Sequence, residues 1–159
     1  MNRKPLRIIG INPGSRYLGI AVLDGSELLD WRIKTLEGKW SDEKIRKAIR
    51  ILSDLIERYE PSVLAIKKLH PARRTKNLLR LTNKIIIFAR RKGMKVYQHS
   101  IKEIEKSLIE SSKLNRRNLF DVLIEQYPAL QYDLSKEQSH RNPYYSRMFE
   151  AVALGILAN

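Results

Sequence analysis

Cysteine is absent from this 159-residue chain, which excludes disulfides and thiolate metal sites. Long apolar runs are absent too, none approaching the ~20 residues that a bilayer span requires. Histidine is scarce: His70, His99 and His140 stand far apart with no i, i+4 pair, which argues against a zinc site. There is no P-loop and no dinucleotide fingerprint, and Ser15 has no His–Asp pair near it in sequence, so it reads as a turn residue. Repeats, low-complexity tracts and linkers are missing, so residues 1–159 read as one domain. The basic start Met1-Asn2-Arg3-Lys4-Pro5 leads into a strand, with no apolar signal block and no small-residue cleavage site. The expectation is a cytoplasmic protein with neither a membrane partner nor a small-molecule substrate.

The scarce charge is acid. Lys and Arg number 31 against 17 Asp and Glu, a net +14 with a pI near 10.1. An excess of that size, gathered in clusters, is the footprint of a surface that binds a polyanion, because Lys and Arg displace counterions from phosphates. Nucleic acid is the expected partner.

The stretch Arg7–Asp24 reads as two buried strands, Leu6–Ile11 and Leu18–Leu23, joined by the turn-rich Asn12-Pro13-Gly14-Ser15-Arg16. Asn12 ends the first strand, where a side chain commonly opens into a site. A turn at Asp24-Gly25-Ser26 leads to a third strand, Leu28–Lys34, and completes an antiparallel meander. Apolar residues at helical spacing predict a helix over Ser41–Tyr59, with Ser41 as N-cap and Pro61 as the stop. A strand Ser62–Lys67, a basic loop Pro71–Lys76, a helix Asn77–Lys92 closed by Gly93 and a strand Lys95–Gln98 follow. Ser100-Ile101-Lys102-Glu103 is a capping box that opens a short helix to about Glu110. A basic loop Ser111–Arg117, a helix Asn118–Tyr127, an irregular polar stretch Gln131–Pro143 and a helix Tyr144–Ala158 complete the chain. Hairpins followed by strand–helix alternation imply an α/β fold with a mixed five-stranded sheet and helices on both faces. The small residues Ala151, Ala153, Gly155 and Ala158 let the last helix pack closely on that sheet.

G-I-N-P-G-S-R-Y-L-G-I-A-V-L (10–23) resembles the opening of the RuvC-type Holliday-junction resolvases of the ribonuclease H-like superfamily, and is also similar to the YqgF family. P-S-V-L-A-I-K-K-L-H (61–70) resembles the second RuvC block, and R-T-K-N-L-L-R-L, G-M-K-V-Y, the helix 101–106 and the basic loop with Arg116 and Arg117 follow in RuvC order and spacing. R-M-F-E-A-V-A (147–153) fits the family's last block. The resemblance covers nearly the whole chain and favours RuvC over YqgF. It implies a ribonuclease H-like fold, a four-carboxylate site holding two magnesium ions, branched DNA as partner, and a homodimer formed through the helix after the second block, where Leu78, Leu79 and Ile85 to Ile87 run around more than one helix face.

The four family acid positions here are Asn12, Lys67, Arg147 and Glu150. One net positive charge stands where the family carries four negative ones. Magnesium is a hard cation that wants carboxylate and water oxygens. The expectation is therefore no bound metal, with Glu150 a weak candidate ligand, and no cofactor, magnesium entering only if other acids rebuild the site. Asp24, Asp30, Glu60 and Asp133 fall in turns or at element ends and read as caps or solvated charges. A Lys67–Glu150 pair with Asn12 in hydrogen-bond reach, and Arg147 turned toward phosphate, is the expected arrangement.

Arg16, Arg73, Arg74, Lys76, Arg80, Lys113, Arg116 and Arg117 sit in loops and helix starts where the family meets DNA. Tyr17, His70, Tyr144 and Tyr145 are candidates for stacking on unpaired bases, and His140 is loosely placed near the last helix. The resulting reading is a RuvC-like protein that binds branched DNA such as a Holliday junction, with a degenerate site and little or no nuclease activity. Its rivals are an active magnesium-dependent junction endonuclease with a shifted acid set, a YqgF-like RNA-processing factor, and an architectural or subunit role.

Overall fold

The structure is a computed structural model, and it describes residues 6–111, 119–133, 135 and 144–159. Five strands form one sheet: β1 Arg7–Asn12, β2 Tyr17–Asp24, β3 Glu27–Thr35, β4 Val63–Lys67 and β5 Lys95–His99, in the order β3-β2-β1-β4-β5. The β1–β2 and β2–β3 pairs are antiparallel, β1–β4 and β4–β5 parallel. That is the mixed five-stranded sheet expected. The helices are α1 Asp42–Tyr59, α2 Lys76–Arg91, α3 Ile101–Ser111, α4 Leu119–Gln126 and α5 Tyr144–Leu157, with 3₁₀ turns at Pro71–Arg73 and Pro128–Leu130. None of the described helices is long and apolar enough to cross a membrane.

Strand alternation divides the apolar residues between two cores. Ile9 and Ile11 of β1 and Leu64 and Ile66 of β4 face α1 and α2, joining Ile45, Leu52, Leu81 and Ile85. Ile8 of β1 and Val63 and Ala65 of β4 face the other way, toward Ile104, Leu123 and the buried Phe149 and Val152 of α5. Asn12 and Lys67 continue the second series. The same two-residue period that buries Ile8 and Ala65 therefore turns both polar strand ends toward α5.

Helix ends follow their sequence signals with two differences. Ser41 is extended, yet its hydroxyl makes no capping bond; its carbonyl accepts from Lys44 N–H instead, at 3.1 Å. Thr75, read as part of a basic loop, is the N-cap of α2, its Oγ1 accepting from Leu78 N–H at 3.1 Å. Its hydroxyl satisfies one of the orphan donors that any helix start exposes. The other signals hold: Glu60 takes the left-handed conformation before Pro61 (φ 49°), Gly93 takes it after α2 (φ 80°), and Ser100 Oγ accepts from Glu103 N–H at 3.2 Å.

Helix α5 lies against β1 and β2 with almost nothing between the backbones. A Cβ on Gly10 would run into the Ala151 carbonyl, and one on Gly19 into the Arg147 carbonyl. Both obstacles are backbone atoms in a packed helix, so neither can swing aside. Gly10→Ala is expected to cost about 1–3 kcal/mol through overpacking, lowering Tm by roughly 2–12 °C in a calorimetric scan. An unchanged Tm would mean that the helix rides further from the sheet.

Candidate functional site

The parallel register pairs Ile11 with Ile66, so the next residues, Asn12 and Lys67, end neighbouring strands side by side. Helix α5 crosses over them, and its Arg147 and Glu150, one turn apart, face the strand ends. Two donors converge on one carboxylate oxygen. Lys67 Nζ donates to Glu150 Oε2 at 2.8 Å, and Asn12 Nδ2 donates closely to the same atom. Asn12 Nδ2 also reaches the Arg147 carbonyl at 3.4 Å. The Lys67 and Glu150 side chains are only 22% and 18% exposed, so their attraction is screened less than that of a surface pair. Asn12 is buried, and its Oδ1 has no hydrogen-bond partner among the described residues. The Arg147 guanidinium donates to the Pro13 carbonyl at 3.4 Å, which ties α5 to the β1–β2 turn.

These residues sit at the floor of a cleft of about 800 Å³. Its walls bring Lys68, Arg74 and Lys102 together, with His70 and Ile101. Lys68 and Lys102 escaped the sequence reading. Their signal was positional, since Lys68 follows a strand end and Lys102 sits in the first turn after the neighbouring strand. Glu103 also lines the cleft. Its carboxylate lies 3.2 Å from His99 Nδ1, and that hydrogen bond, helped by one to Ser100 and by the charges of His99 and Lys68, holds its carboxyl below the usual range. His70 Nδ1 accepts from Ala72 N–H at 3.0 Å, capping the short turn at the cleft wall.

The other predicted residues are dispersed. Arg16 lines an adjoining depression. Lys76 and Arg80 line a separate shallow one on α2, and Arg80 pairs with Asp42 at 2.7 Å. Tyr17 is half-buried, and Tyr145 packs on the α5-side core. Lys113, Arg116, Arg117 and His140 lie outside the described residues, as do the side chains of Arg73 and Tyr144. Asp24, Asp30 and Asp133 bond Arg7, Arg32 and Trp31 respectively, and none of them lines the cleft.

The family model for the crossover junction endodeoxyribonuclease RuvC matches residues 8–135. The chain belongs to the RuvC family. Among RuvC proteins, that of Citrifermentans bemidjiense is 25% identical over 124 residues, covering 73% of this chain and 76% of its own. That of Prochlorococcus marinus AS9601 is 24% identical over 126 residues, covering 75% and 80%. In fold, the chain is similar to Thermus thermophilus RuvC in complex with a Holliday junction substrate (TM-score 0.69, 15% identity, 95% of this chain and 90% of that one). It is also similar to the Fowlpox virus resolvase in complex with Holliday junction DNA (TM-score 0.50, 16% identity, 95% and 97%).

RuvC membership corrects the expectation of a chain without a cofactor, because RuvC nucleases depend on magnesium. Magnesium is thus the ion against which these residues have to be judged. The described residues contain no cluster of three His, Asp or Glu side chains able to hold a metal. At the floor, the unpartnered oxygen Asn12 Oδ1 and the Glu150 carboxylate are the acceptors, and an ammonium is already seated on the latter. A divalent ion about 4 Å from an ammonium is repelled by about 8 kcal/mol at an effective dielectric constant of 20. The donor set does not fit the family's pair of magnesium ions.

Two measurements probe this geometry. Lys67→Met leaves the Glu150 carboxylate with the Asn12 amide as its donor and is expected to cost about 1–3 kcal/mol at neutral pH in urea unfolding. Adding Glu150→Gln should recover much of that loss, since no uncompensated charge then remains. For Glu103, the depressed carboxyl contributes stability above its unfolded pKa, and the contribution fades as pH falls through the folded value. His99→Ala should move the Glu103 titration upward by NMR; an unmoved titration would assign the depression to another group.

Proposed function

We propose that this chain is a binding protein for branched DNA of the Holliday-junction kind, whose nuclease chemistry is lost or severely weakened. The observation that carries the reading is the convergence of Lys67 and Asn12 on Glu150 at the floor of a basic cleft. The floor acid is neutralised from within, so the field in the cleft comes from Lys68, Arg74, Lys102 and Arg147, with Glu103 the acid that opposes them among the described lining residues. Such a field attracts phosphates and releases their counterions. The cleft holds no sequence-reading signature, so recognition rests on backbone position and branch shape. Support comes from the two structural relatives captured with Holliday junctions and from the net charge of +14.

One observation favours a second reading. Glu103 stands in the same cleft as Glu150, and a two-acid endonuclease built on them is the rival. Purified protein separates the two. The proposal expects tighter binding to a synthetic four-way junction than to duplex, with affinity falling steeply as salt rises. Arg74→Ala should flatten the slope of log K against log salt by about one. Cleavage with magnesium or manganese should be at least about 10³-fold slower than by an active RuvC nuclease. The triple change Asn12→Asp, Lys67→Glu and Arg147→Asp should raise cleavage. Efficient chelator-sensitive cleavage by the unaltered chain, abolished by Glu150→Gln, would overturn the reading.

A further inference from the structure

The cleft does not end at its floor. Leu78 and Arg147 line it and also line a second depression of about 740 Å³, formed with Ser15, Arg16, Trp40 and Lys44. Arg16 and Gly38 in turn belong to a third depression of about 510 Å³, which reaches Tyr17 and Lys39. Shared walls make these one groove. It runs from the β4–β5 side of the floor, past the β1–β2 turn, to the end of β3.

The middle section has a composition of its own. Arg16, Lys44 and Arg147 line it, and among the described residues no Asp or Glu does. The Arg16 side chain is exposed, and no hydrogen bond or ion pair joins it to the described residues. Trp40 is half-buried against the α1–α2 core, and its indole N–H likewise makes no hydrogen bond there. A cationic donor and an aromatic body therefore share this middle section, with Glu37 in the next depression along and Glu103 and Glu150 in the first. The backbone beneath them is pinned. The buried Lys44 ammonium donates to the Ser15 carbonyl at 2.7 Å, and Leu36 N–H donates to the Arg16 carbonyl at 2.7 Å. Lys47 adds a bond to the Thr35 carbonyl at 2.7 Å. A site held this way loses little freedom when it is filled.

We propose that the groove at Arg16 and Trp40 is a subsite for an unpaired stretch of DNA strand leaving the branch point, with a base stacked on the Trp40 indole and a neighbouring phosphate on the Arg16 guanidinium. Every base has a π-face, so stacking of this kind is indifferent to sequence. A guanidinium suits phosphate by its forked, always-charged geometry. Paired arms keep their bases inside the duplex and cannot use the indole, so the subsite discriminates open branches from fully paired ones. The proposal rests on the branched-DNA reading above.

The test uses the whole chain and two labelled four-way junctions, one fully paired and one with several unpaired thymidines at the branch. Trp31 and Trp40 are the two tryptophans of the sequence, and Trp31 donates to Asp133 outside the groove. In Trp31→Phe protein, Trp40 emission should be quenched when the open junction saturates the protein. Trp40→Leu should weaken the open junction about tenfold or more while changing the paired junction by less than about twofold. Trp40→Phe, which keeps a stacking face, should restore most of the difference. Unchanged Trp40 emission while anisotropy shows the open junction bound would overturn the subsite and leave the branched-DNA reading standing. Binding of neither junction would overturn both.

Discussion

Close approach of α5 to the sheet is the constraint on which the rest depends. Gly10 and Gly19 carry no side chain, and the helix backbone fills the space where one would be. Any larger residue would lift the helix and carry Glu150 away from the strand ends. At its present height, Glu150 meets both Asn12 and Lys67, and Arg147 reaches the Pro13 carbonyl. The packing that stabilises the fold and the geometry of the cleft floor are thus one feature. The buried Phe149 and Val152 on either side of Glu150 hold the helix in that rotation.

Charge then determines what the cleft can hold. A cation seated on the floor carboxylate removes the attraction that a divalent ion would need, and an amide oxygen alone cannot replace it. The same ammonium leaves Glu103, held by His99, as the acid facing the surrounding lysines and arginines among the described cleft residues. The fold does not depend on the polar side chains at the floor, since the sheet and α5 pack through apolar and small residues beneath them.

Much of this was legible before any coordinates. The strand and helix periods placed the five strands and α1 to α5 to within a few residues, but the 3₁₀ turns at Pro71–Arg73 and Pro128–Leu130 went unread. Residues 131–133 and 135, read as part of an irregular stretch, are helical, because polar residues on an exposed turn carry no apolar period. The family resemblance pointed to Asn12, Lys67, Arg147 and Glu150 across a span of 138 positions in the chain. Thr75 was hidden because a cap and a loop residue look alike until the following helix is seen to bond to it. Lys68, Lys102 and Glu103 were hidden for another reason. They act through β5 lying beside β4, and adjacency of strands is a property of sheet order that local pattern does not contain. Arg80 looked like its neighbour Arg74 in sequence, but helical rotation sends it to Asp42 and away from the cleft.

By itself the sequence determined the fold class and the excess of positive charge, because alternation and net charge are local or additive quantities. Only the tertiary structure decided that Lys67 and Asn12 share a single Glu150 oxygen, that His99 occupies Glu103, and that the cleft continues past Arg147 to Trp40. Those are facts of distance, and distance between remote residues is set by how closely one helix can lie on one sheet.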